Sequence, residues 1–114
     1  MQIVISPAKL MDFEGPIPSV KTTAPLFPEK TATLVEICRQ LSEREIVAKM
    51  KVNATIAHHV YEYFQTFDFE STPRRAAALA YNGIAYKGLN AADFLQEDFD
   101  FARQHFNILS ALYG

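Results

Sequence analysis

A mixed α/β protein is what this sequence predicts, and three stretches carry the prediction. Ile3-Val4-Ile5 is a β-branched run of strand length, and Leu34, Ile37, Cys38 and Leu41 recur at helical spacing. Ala76 to Tyr81 is a second unbroken apolar run. Short buried strands with packed helices are therefore expected over residues 1–114, as a single domain or part of one.

Ile3-Val4-Ile5 reads as a strand buried on both faces. Ser6-Pro7 ends it, because proline has no N–H to give to a ladder. Lys9 then sits on a loop at the strand's carboxyl end, where open α/β sheets tend to hold ligands. The competing reading is a plain turn with Lys9 as a solvated charge. Pro16, Pro18, Pro25 and Pro28 fix φ and disfavour helix just before them, so 14–28 is expected to lack regular structure. A connection of that length in a compact domain is often functional.

Helix is predicted from near Thr31, with Leu34, Ile37, Cys38 and Leu41 as its apolar stripe. Ser42 is a candidate N-cap and Glu45 completes a capping box for a second helix over Glu43 to Met50. Asn53 caps a third, running to about Phe64, with Ile56, Ala57, Val60, Tyr61 and Phe64 on its apolar side.

Ala76 to Tyr81 is expected to be a buried strand, although alanine is a poor strand former. Asn82-Gly83 signals a turn, and Tyr86 to Leu89 a further turn or helical piece. Asn90 caps a short helix over Ala91 to Leu95. From Glu97 to Phe106 the order of charges, acidic first and basic last, complements a helix dipole. The acids Glu97, Asp98 and Asp100 are read that way in preference to a cation site, with Phe99 and Phe101 as core anchors. Asn107 to Gly114 is expected to hold a third strand. The apolar run into Gly114 suggests a fragment or reduced version of something longer.

Composition narrows the classes. Hydrophobic residues make up 49% of the chain, with nine Phe and five Tyr, which is material for a core; 21% charged residues exclude global disorder. A net charge of −2 excludes a uniformly basic coat but leaves room for a local basic patch. The single Cys38 permits no intrachain disulfide and is expected to be a buried, inert thiol. With no signal peptide and no run of about 18 apolar residues, a cytoplasmic protein without membrane contact is expected. No metal site or cofactor is expected. His58 and His59 would point about 100° apart on a helix, and no Gly-rich phosphate loop, nucleophile elbow or catalytic Cys/His pair is present.

Four blocks occur in order: Ile5-Ser6-Pro7-Ala8-Lys9, Tyr86-Lys87-Gly88-Leu89, Asp98-Phe99-Asp100-Phe101-Ala102 and Leu109-Ser110-Ala111-Leu112-Tyr113-Gly114. Together they resemble the amino-terminal half of the YaaA family of peroxide-stress proteins, whose members are considerably longer. The resemblance implies a cytoplasmic bacterial protein of mixed α/β fold that helps limit iron-driven oxidative damage. It also implies non-sequence-specific binding of duplex or branched DNA through a helix-hairpin-helix element.

Carried onto this chain, Ile46 to Met50 is the first helix of that element, Lys51 to Ala54 the hairpin, and Thr55 onward the second helix. Lys49, Lys51, Asn53 and Thr55 are then the DNA-binding candidates, since amides at a helix start can hold a phosphate. Such contacts position a protein without reading sequence. The hairpin departs from the usual pattern in having no glycine between Met50 and Thr55, and Glu43, Glu45 and Glu62 would weaken its field. Ordinary helix-turn-helix packing is the competing reading.

An enzyme or small anionic-ligand binder is the alternative class, built from Ser6, Lys9, Asn82, Tyr86, Ser110 and Tyr113 at the predicted strand ends. A partly desolvated lysine there could bind an anion or act as a base. No catalytic role can be assigned from these residues.

Overall fold

The computed structural model describes residues 1–114. The chain forms two compact units, one of residues 26–72 with Tyr113 and the other of residues 1–25 and 73–112 with Gly114.

The first of these is helical. Helix α1 spans Pro28–Arg39 and starts three residues before the apolar periodicity suggests. Proline at the first helical position is preorganised for the turn and lacks an N–H that would have no partner there. The buried residues of α1 are Thr31 and Val35, whereas Leu34 and Ile37 of the predicted stripe are exposed. Thr31 tolerates burial because its hydroxyl donates to the Phe27 carbonyl at 3.0 Å. Cys38 is half-buried, and burial pushes its thiol pKa up, which favours the unreactive protonated form.

Helices α2 (Glu43–Met50) and α3 (Ala54–Thr66) follow closely the boundaries expected from their caps. The Ser42 hydroxyl accepts the Glu45 N–H while the Glu45 carboxylate accepts the Ser42 N–H, a reciprocal capping box. Asn53 Oδ1 accepts the Ile56 N–H at 2.8 Å. Ile46, Ala57 and Val60 form the core between these helices, flanked by Leu41, Val47, Met50, Val52, Ile56, Tyr61 and Phe64. Arg39 ties the end of α1 to the end of α3, its Nε donating to the Phe64 carbonyl at 2.9 Å and Nη2 to that of Phe67.

The second unit holds all the strands. β1 (Ile3–Ile5) pairs in parallel with β4 (Phe106–Ile108), and β2 (Leu10–Met11) pairs antiparallel with β3 (Tyr81–Asn82). β1 is a strand as expected, but it is not buried on both faces: Ile3 and Val4 are exposed. Its sheet has two strands only, so one edge of β1 has no neighbour.

Most of the predicted strand over Ala76 to Tyr81 is instead helix α4 (Ala77–Ala80). Alanine has the highest helix propensity, and a run of it prefers a helical turn when no sheet demands otherwise. Only Tyr81 and Asn82 are extended. Gly83 then starts helix α5 (Ile84–Leu89). A Cβ at Gly83 would stand 3.2 Å from that of Ala8, so the missing side chain lets the two segments approach.

Asn90 does not cap a helix reaching Leu95. It adopts a left-handed φ of 49° at the end of α5, a conformation asparagine tolerates, and only a 3-10 turn over Ala91–Asp93 follows. Helix α6 (Gln96–His105) appears where the charge order placed it, with the Asp98 carboxylate accepting the Leu95 N–H at 2.8 Å. Phe99 is half-buried and stacks edge-on with Phe94, but Phe101 is exposed and lies against His105. The expected terminal strand is confined to β4 and gives way to a turn after Leu109.

Candidate nucleic-acid interface on the α2–α3 hairpin

The α2–α3 turn is built without glycine. Lys51 itself takes the left-handed conformation that ends α2, with φ 53° and ψ 49°. This is the place where a helix end commonly uses glycine, because a Cβ is unfavourable there. Val52 then returns the chain to the Asn53 cap. Lys49 and Lys51 are exposed, as are Asn53, Ala54 and Thr55.

The start of α3 has no acidic residue in its first turn. Asn53 satisfies the Ile56 N–H, while the N–H groups of Ala54 and Thr55 at the helix start have no intrahelical acceptor. Those amides and the positive end of the helix dipole make a local site for negative charge.

The three glutamates that threaten this field lie away from Lys51, although Glu45 is one turn from Lys49 and its carboxyl feels that charge. Glu43 and Glu45 occupy the first turn of α2, a helix length of roughly 10 Å from Lys51 at 1.5 Å per residue. Glu45 is engaged with Ser42, whose backbone N–H and hydroxyl hold its carboxyl below the usual carboxylate pKa. His58 gathers the other two: Nδ1 lies 2.8 Å from Glu43 Oε1 and Nε2 lies 3.5 Å from Glu62 Oε1. The hydrogen bond to Glu43, then the charges of Glu62 and Glu43, push the His58 pKa up. Sequence reasoning did not find this role for His58, although its spacing of four from Glu62 is a readable signal.

The alternative constellation is only partly assembled. Parallel pairing of β1 and β4 brings Ser6 and Ser110 to the same end of that sheet. Tyr86 is buried and its hydroxyl donates to the Ser6 carbonyl at 2.7 Å. Ser110 is hydrogen-bonded to Tyr81, whose ring centroid lies 5.3 Å from that of Tyr86. Lys9 is exposed on the bend before β2, and Asn82 pairs with Leu10. Tyr113 belongs to the helical unit. The two tyrosine hydroxyls, bonded to the Ser6 carbonyl and to Ser110, therefore hold the fold together at this end.

No helix is long and apolar enough to cross a membrane.

A family model described as peroxide stress protein YaaA matches residues 1–114. Among curated proteins, a UPF0246 protein of Saccharophagus degradans is 42% identical over 116 residues. That match covers 100% of this chain and 45% of the relative, so the chain spans less than half the relative's length.

Proposed function

Because the chain belongs to the YaaA family of peroxide stress proteins, we propose that it serves the peroxide response by binding DNA through the α2–α3 hairpin. Duplex or branched DNA is held without sequence preference, by phosphate contacts from Lys49, Lys51 and the amides near Asn53 and Thr55. In the same reading the protein helps limit iron-driven oxidative damage, the role implied by the family resemblance.

One observation supports this reading above the rest, the one-sided charge of the hairpin. Lys51 stands at the turn, beside an acid-free helix start, with Lys49 half a turn behind it; Glu43 and Glu62 are drawn to His58, and Glu45, one turn from Lys49, is held by Ser42. A surface with net charge −2 overall can still hold a phosphate where its cations and helix amides coincide.

The test is anisotropy of labelled duplex and branched DNA across a salt series, with the native chain and a Lys49→Ala/Lys51→Ala variant. Phosphate-driven binding weakens with a log–log slope of about −0.9 per phosphate neutralised. The double variant is expected to flatten that slope by roughly two units. An unchanged slope, or no binding by the native chain at low salt, removes the hairpin as the DNA site.

A further inference from the structure

β1 has one edge with no strand beside it. In a parallel pair, alternate residues of a strand turn both backbone groups toward the partner. The Leu109 N–H donates to the Ile5 carbonyl at 3.1 Å, and the register is Ile3 with Phe106 and Ile5 with Ile108. Ile3 and Ile5 therefore face β4, and the N–H and C=O of Val4 face the edge that carries no strand.

The side chains around that edge are apolar and uncovered. Val4 is 59% exposed and Ile3, before it on β1, is 42% exposed. The edge is short, at three residues, but Ile3-Val4-Ile5 carries no proline and no charge to turn a partner away. An unpaired N–H and C=O on an exposed β-branched residue, with exposed Ile3 before it, are features used in strand addition.

We propose that this edge of β1 binds an extended apolar strand from the portion of the family's length that this chain does not match. The curated relative supplies the reason for that occupant. All of this chain aligns with it, yet 55% of the relative lies outside the match. The relative thus has polypeptide beyond the matched region that is available to cover such an edge. A second copy of this chain is the competing occupant, since open edges also pair with themselves.

Amide hydrogen exchange at Val4 distinguishes these cases. The measurement is made on this chain at two concentrations and on this chain joined to the unmatched portion of the Saccharophagus degradans relative. In the chain alone Val4 is expected to exchange at nearly the rate of an open amide at both concentrations, and in the joined protein at least ~100-fold more slowly. A Val4→Pro change removes the outward N–H of β1 without deleting a β1–β4 hydrogen bond and is expected to lower the melting temperature of the joined protein more than that of the chain alone.

Equal Val4 exchange in the two proteins overturns the proposal. Protection that appears in the chain alone and rises with concentration also overturns it, in favour of self-pairing. Should the joined protein not fold, exchange is read at the residue aligned with Val4 in the intact relative, where rapid exchange has the same overturning force.

Discussion

The hydroxyl of Tyr86 donates to the backbone carbonyl of Ser6 across 80 positions of chain, at 2.7 Å. The bond ties α5 to the residue that follows β1, and the Tyr86 ring is buried behind it. Tyr81 lies beside that ring and reaches Ser110. One aromatic pair thus fixes the segments after both strands of the parallel sheet.

Tyr86→Phe keeps the ring and deletes the donor. It is expected to destabilise the fold by about 1 kcal/mol, the usual net worth of such a bond, read as a lowered urea midpoint with unchanged slope. The pH dependence follows from burial, which raises the pKa of both Tyr81 and Tyr86. The neutral phenol is the form favoured by the fold. Its contribution is present below the ordinary tyrosine pKa of about 10 and is lost as pH rises through the higher folded value. Native protein should therefore lose stability in strong alkali more steeply than the Tyr86→Phe variant. Equal alkaline curves would mean that Tyr86 does not titrate with unfolding.

Lys51 separates stability from charge. At φ 53° a side chain with a Cβ is held in a conformation that costs roughly 1–2 kcal/mol, which glycine avoids. Lys51→Gly is expected to raise stability by about 0.5–1 kcal/mol and at the same time weaken DNA binding. Lys51→Ala should weaken binding equally with no gain in stability. Thermal melts beside binding isotherms check both, and a destabilised glycine variant would refute the conformational account.

His58 makes the hairpin more stable in mild acid than above neutrality. Its pKa is raised, first by the hydrogen bond to Glu43 and then by the charges of Glu62 and Glu43. The stabilising ion pairs are fully present below the ordinary histidine value of about 6.5 and fade as pH rises through the folded value. A titration of the imidazole by NMR should give a midpoint above that ordinary value, and His58→Gln should flatten the stability profile between about pH 6 and 8. All three side chains are exposed, so the effect will shrink with added salt.

The features legible in the sequence are those governed by neighbours in the chain. Ser42 with Glu45, and Asn53 with Ile56, fix helix starts through contacts three residues apart, and the helices begin where these residues say. The acidic start of α6 is readable for the same reason. Features set by distant partners are less so. Whether Ala76 to Tyr81 becomes strand or helix depends on a sheet that extends only to Tyr81 and Asn82, and local alanine propensity prevails over the rest. The α1 stripe misleads because Thr31, polar by type, can be buried once its hydroxyl finds the Phe27 carbonyl.

For the candidate site, the lysines and the cap are visible as residue types, and so are the opposing glutamates. Their distribution along the hairpin is not. It takes the packing of α2 on α3, with His58 meeting Glu43, to draw Glu43 and Glu62 together away from Lys51. Nor does the sequence say that Lys51 would occupy the position glycine usually fills. Lysine has no preference for that conformation, and the demand arises only from closing the turn between two packed helices.

The pairing of β1 with β4 also sets a timetable for synthesis. Ile3 is made long before its partner in the register, Phe106, so about 100 residues must be added before the two can meet. At 5–20 residues per second that interval is on the order of 5–20 s. Helices α2 and α3, whose contacts are local, can form during the wait, because short loops close readily. The apolar run of β1 has no such recourse. Until Phe106 emerges it is a β-prone segment without its mate, and a holding chaperone would find its substrate there.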